Sequence, residues 1–249
     1  DLHSFPTRRS SDLGNSSAEE ANRENMSISE IFSNKNLVRI LLVGCGIGFF
    51  QQTTGINSIL YYGERVLEES GFSTGAALIA NIAPATISVI AAIVALQMMD
   101  RFSRRKTFLW GYGLVAVTHV LIAAAAGMLP ESGAKPYILL ALIVFFVGSM
   151  QLCLNVATWV TLSEIFPLKM RAFGMGLSVF VLWMTNSFLG LFFASVIASI
   201  GLSMSFVAFA VLNAIAFIFV LLCVPETKGR TLEQLEVDVM SGEIFKHLK

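Results

Sequence analysis

The stretch Asn36–Tyr62, "NLVRILLVGCGIGFFQQTTGINSILYY", decides what kind of protein this is. Its first half is apolar enough to sit in hydrocarbon as a helix. Gln51, Gln52, Thr53, Thr54, Asn57, Tyr61 and Tyr62 then arrive where a membrane-crossing helix should continue. Polar groups at that depth are costly unless they are hydrogen-bonded or face water. The rest of the chain therefore has to provide partners, or a wet cavity, for them.

The composition agrees with a membrane setting. Of 249 residues, 55% are hydrophobic and only 14% are charged, against about 25% charged in a soluble domain. Net charge is zero, so no basic surface calls for nucleic acid. Cys45, Cys153 and Cys223 lie inside apolar segments, with no disulfide or metal spacing. His3, His119 and His247 are scattered. "GCGIG" at 44–48 copies a nucleotide-binding glycine pattern, but no strand precedes it. Close helix packing through Gly44-x-x-x-Gly48 is the simpler reading. No metal, cofactor or nucleophile signature occurs.

Six segments are long and apolar enough to cross ~30 Å of hydrocarbon as helices. They run over 37–62, 75–99, 107–129, 136–161, 173–199 and 202–224. The expected class is an all-α membrane protein with a six-helix bundle over 37–224. Residues 1–36 read as a disordered, polar cytoplasmic leader, and "DLHSFPTRRSSDLG" at 1–14 reads as a non-native addition. "ISEIFSNKNLVR" at 28–39 reads as a short amphipathic segment lying before the first span. Residues 225–249 read as a cytoplasmic tail helix. Lysines and arginines set the orientation. The 100–106 loop carries four, the 167–174 loop two, and Lys228 and Arg230 follow the last span. The opposite loops carry only Arg65 and Lys135. Both termini are therefore expected in the cytoplasm.

A helix turns about 100° per residue. On one continuous helix, Gln51, Gly55, Ser58 and Tyr62 share a face. Thr54, Asn57 and Tyr61 flank it on one side and Gln52 on the other. Ile56, Ile59 and Leu60 oppose it. Gln151, Asn155 and Trp159 stack at spacing four, and Trp183 and Asn186 sit three apart. Amides that bond hydroxyls, beside indoles that pack on a ring face, suit a carbohydrate or cyclitol. The alternative is that the same side chains bind helix to helix. At the cytoplasmic edge, Asp100, Arg101, Arg104 and Arg105 face Glu164 and Arg171 as a candidate latch between helix ends.

Four stretches together resemble the C-terminal half of a major facilitator superfamily sugar porter. They are "QQTTGIN" (51–57), "DRFSRRK" (100–106), "SEIFPLKMRAFG" (163–174) and "PETKGRTLEQLE" (225–236). The run from Asn155 to Ser187 is especially similar to proton-coupled myo-inositol and related symporters. The resemblance implies a six-helix half of a twelve-helix fold, with substrate held between two halves. It implies that Gln51, Gln52, Asn57, Gln151, Asn155, Trp159, Trp183 and Asn186 bind substrate, and that Tyr61 and Tyr62 gate the outer side. It places Asp100, Arg101, Arg104, Arg105, Glu164, Arg171 and Glu226 in a cytoplasmic salt-bridge network. It implies transport of a sugar or polyol by alternating access at the plasma membrane, no cofactor, and a partner six-helix half that lies outside this chain.

The sequence departs from the family in three places. Residues 155–158 lack the glycine–proline pair common before Trp159, Ser88 stands where Asn is common, and Leu182 stands where Gln or Asn is common. No acid sits alone within a span to couple protons. A sugar sensor that binds without transport remains open, although the short tail offers little signalling apparatus. An intramembrane enzyme would need a catalytic cluster that the spans do not contain.

Overall fold

The computed structural model describes residues 26–99, 101–230 and 232–248. Its helices are α1 (Ile28–Ser33), α2 (Lys35–Gln52), α3 (Ile56–Glu69), α4 (Thr74–Ala80), α5 (Ile82–Met99), α6 (Arg104–Met128), α7 (Lys135–Met150), α8 (Val156–Glu164), α9 (Arg171–Cys223) and α10 (Leu232–Ser241). A π-helical turn, Gln151–Asn155, joins α7 to α8.

Among the described residues, five continuous helical stretches are long and apolar enough to cross a membrane. The last of them holds two spans. At 1.5 Å per residue, the 53 residues of α9 would extend about 80 Å, far beyond a ~30 Å hydrocarbon core. Gly201 breaks the run with φ 77° and ψ 169°, a conformation that glycine alone adopts cheaply. The rings of Phe193 and Phe209 lie 5.8 Å apart, although a straight helix would separate them by about 24 Å. The chain thus folds back at Gly201, and the expected six-helix membrane bundle is what forms.

Small residues let the helices approach. Gly44 of α2 meets the Phe166 ring and the Ser178 hydroxyl, and Gly48 meets the backbone of Ser178. A side chain at either position would force α2 away from the 171–200 segment. Phe108, Tyr112, Phe146, Phe166 and Phe206 fill the core and are almost wholly buried. By contrast, α5 leaves Val89, Ile90, Ile93, Val94 and Leu96 exposed.

The ends are tied locally. Asn34 caps α2 by accepting from the Asn36 N–H at 2.9 Å. Ser103 caps α6 through the Lys106 N–H. The tail returns to α2: the Asn36 amide donates to the Met240 carbonyl at 3.1 Å, and the Arg39 guanidinium lies 3.9 Å over the Phe245 ring.

Candidate functional site

The first span is not one helix. It breaks between Gln52 and Ile56, where Gly55 takes φ 79°. The break satisfies itself locally. Gly55 N donates to the Gln52 carbonyl at 3.1 Å, the Thr54 hydroxyl to the Gln51 carbonyl at 2.7 Å, and the Thr53 hydroxyl to the Phe50 carbonyl at 3.1 Å. Threonine hydroxyls thus take up carbonyls that a helix end leaves free. The swivel at Gly55 also overrides the helical wheel. Gln52 and Asn57, which a continuous helix puts on opposite flanks, form a 2.8 Å hydrogen bond.

That bond belongs to a network. Asn57 Nδ2 donates both to Gln52 Oε1 and to Asn186 Oδ1, each at 2.8 Å. Asn186 Nδ2 then reaches the Tyr61 hydroxyl at 3.2 Å. Tyr62 donates to the Gly190 carbonyl at 2.7 Å and packs on Phe193. Its own backbone is bent out of helix, at φ −119° and ψ 20°. The two candidate gating tyrosines are therefore anchored to the 171–200 segment, one by its hydroxyl contact and one by both hydroxyl and ring.

The second cluster lies on the π turn. Gln51 Nε2 donates to Asn155 Oδ1 at 3.5 Å, and Gln151 Nε2 donates to Ser88 Oγ at 2.5 Å. Gln51 Oε1 and Gln151 Oε1 are buried without a partner in the chain. Both oxygens can accept from a hydroxyl. The extra residue of a π turn widens the helix, so spacing four no longer stacks Gln151 over Asn155 as on an α-helix. Trp159 and Trp183 are 39% and 51% exposed, so their ring faces are open to a partner. The candidate residues are six amides, two phenols and two indoles, with no acid or base among them. Such a set can hold hydroxyls and a ring face, and it has no group for covalent chemistry.

The residues expected to form the salt-bridge network assemble at the start of α6. Arg104 grips Glu164 with both Nη2, at 3.0 Å, and Nε, at 3.4 Å. It also donates to the carbonyls of Met99 and Phe102. Glu226 accepts from the Ser103 hydroxyl and from the backbone N–H groups of Arg104 and Arg105, the latter two at 3.1 and 3.2 Å. A carboxylate on the first turn of α6 also opposes the positive end of the helix dipole. Thr227 donates to Glu164 at 2.8 Å. Arg105 reaches the Leu221 carbonyl, and Arg171 the Phe166 carbonyl. Arg101 is exposed and outside this network, and Asp100 lies outside the described residues.

Sequence reasoning missed two contributors: Ser103 and Thr227 join the Arg104, Glu164 and Glu226 cluster. Ser103 had a readable signal, a serine just before a helical run. Ser88, singled out in the sequence only as a departure from the family, is the partner of Gln151.

A family model described as "Sugar (and other) transporter" matches residues 6–239. The chain belongs to that family. This is a family of transport proteins and not of enzymes, and it makes the chain a multi-pass membrane protein of the major facilitator type. The major myo-inositol transporter IolT of Bacillus subtilis (strain 168) is 44% identical over 198 residues, 80% of this chain and 42% of the relative. The arabinose-proton symporter of the same organism is 32% identical over 210 residues, 84% of this chain and 44% of the relative. Among solved structures, the proton:xylose symporter XylE bound to 6-bromo-6-deoxy-D-glucose superimposes with a TM-score of 0.68 at 28% identity. That match covers 79% of this chain and 42% of XylE. The chain thus spans about two fifths of the length of these sugar transporter relatives.

Proposed function

We propose that this chain forms one half of a porter that carries a monosaccharide or a cyclitol such as myo-inositol across the plasma membrane by alternating access, coupled to protons. Both termini lie in the cytoplasm, where the lysines and arginines concentrate. A second six-helix unit packs on the exposed faces of α5 and the 171–200 segment and completes the pocket.

The observation that carries this reading is the pair of membrane-depth amide clusters, Gln52–Asn57–Asn186 and Gln51–Asn155, with Trp159 and Trp183 exposed one turn along the same helices. Gln51, Gln52, Asn57, Gln151, Asn155 and Asn186 meet the hydroxyl edge of the ring. Gln51 Oε1 and Gln151 Oε1 are the first acceptors, because neither has a partner in the chain. Trp159 and Trp183 cover the apolar ring face, and Tyr61 and Tyr62 gate the outer side. Arg104, Glu164 and Glu226 hold the cytoplasmic helix ends together while the pocket faces outward, and they part when it opens inward.

The test is uptake of labelled inositol, xylose and glucose into liposomes. The chain is reconstituted alone and together with the first six helices of the myo-inositol transporter it resembles. Saturable uptake is expected only with the partner half, and it should rise when the lumen is alkaline. Saturable uptake by the monomeric chain alone would overturn the half-porter reading.

A further inference from the structure

Two apolar grooves open on the membrane face of α6, and both start at the same residues. One, of about 490 Å³, runs from Lys106 and Trp110 past Leu109, Gly113 and Val117, with Phe217 as its far wall. The other, of about 440 Å³, starts from Lys106 and Trp110 on the other side and is walled by Met98, Met99, Phe102, Leu152 and Cys153. Lys106 and Trp110 are one turn apart on the same helix face, and both are exposed.

Arg104 is held by Glu164 and Arg105 by the Leu221 carbonyl. Lys106 forms no ion pair among the described residues. Its methylene stem can lie along apolar walls while the ammonium stays at the membrane edge. Tryptophan favours that same depth. From Lys106 to Val117, α6 rises about 16 Å, which is one leaflet of a ~30 Å hydrocarbon core.

We propose that this fork binds one anionic diacyl phospholipid, its phosphate on Lys106 and one acyl chain in each groove. A lone cation between two apolar channels matches one negative headgroup with two tails. It discriminates against zwitterionic lipid, whose own ammonium cancels the attraction. The second groove is lined by Ser103, which donates to Glu226, and by Leu152 in the π turn. A bound lipid therefore packs directly against the latch and against the turn that carries Gln151. The proposal stands independently of the sugar-porter reading.

The test uses the 249-residue chain in nanodiscs, with Trp159→Phe and Trp183→Phe leaving Trp110 as the fluorophore. Brominated phosphatidylglycerol in phosphatidylcholine is compared with brominated phosphatidylcholine at equal mole fractions. The anionic lipid should reach half-quenching at about one fifth of the mole fraction, the equivalent of the roughly 1 kcal/mol that one lysine gains beside anionic lipid. Lys106→Gln should abolish the difference, Lys106→Arg should keep it, and Arg101→Gln should leave it unchanged. Equal quenching by both lipids would make the grooves ordinary lipid contacts and overturn the proposal. So would a preference that survives Lys106→Gln or vanishes with Arg101→Gln. Quenching by neither lipid, with cross-linked dimers, would assign the grooves to a second copy of the chain and overturn it equally. Quenching by the neutral lipid in each variant controls for folding.

Discussion

Asn57 joins α2, α3 and the 171–200 segment through a single amide nitrogen, so replacing it tests the centre of the site. Asn57→Ala deletes two 2.8 Å bonds, to Gln52 and to Asn186. Neutral hydrogen bonds contribute about 0.5–1.5 kcal/mol each, and those measured between membrane helices average about 0.6. The loss should therefore be about 1–3 kcal/mol. Gln52 and Asn186 are 4% and 7% exposed, so their abandoned oxygens gain little water and the upper half of that range is expected. Gln52→Ala removes one bond of the pair and should cost about half as much. Asn57→Asp should be worse than alanine, because a carboxyl group cannot donate to both carbonyl oxygens and repels them once ionised. The measurement is unfolding of the purified chain in mixed micelles, followed by circular dichroism. A change of only a few tenths of a kcal/mol for Asn57→Ala, or an aspartate variant no worse than alanine, would refute the network. Inositol binding, measured with the partner half present, separates the two roles. A porter site loses roughly two- to twelve-fold in affinity per lost bond. If stability falls and affinity holds at both Gln52 and Asn57, these amides only tie helices together and the site assignment fails.

Gly55→Ala should destabilise the chain by about 2–3 kcal/mol. A left-handed conformation costs an L-residue about 1–2 kcal/mol, and the new methyl would sit about 3 Å from the Phe209 ring. Gly55→Ala with Phe209→Leu should recover only the contact part of that loss, and full recovery in the same unfolding assay would rule out the backbone account. At the latch, Glu164→Gln should cost about 1–3 kcal/mol. That range lies between an exposed pair and a buried one, because Arg104 is largely buried and Glu164 is 28% exposed. It should also raise labelling of a cysteine probe at the Glu164 end of α8, and unchanged labelling would leave the pair without a role in closure.

The membrane class, the six spans and the family were legible in the sequence because they rest on composition, length and local order. Hydrocarbon thickness sets how many apolar residues a span needs, so counting suffices. Positive charge in alternate loops suggests the topology, because translocating it is disfavoured. The participating residue types were legible too, since amides and indoles within spans are conspicuous against an apolar background. The meeting of Gly44 and Gly48 with a neighbouring helix was readable as small-residue spacing.

What the sequence could not supply was direction and pairing. The wheel for Gln51–Tyr62 assumed an unbroken helix, and one positive φ at Gly55 brought Gln52 and Asn57 together. Spacing four promised a stack of Gln151 and Asn155, yet a π turn sets their directions. The turn also supplies an irregularity where the sequence lacks the family's glycine–proline pair. Of the cationic residues at the 100–106 loop, only Arg104 forms an ion pair with a described residue. Glu226 turned out to hold a helix start more than 120 residues away in sequence. Periodicity describes a helix relative to its own axis. A break of a few residues rotates everything beyond it, and which amide meets which is then settled by the packing of three separate helices.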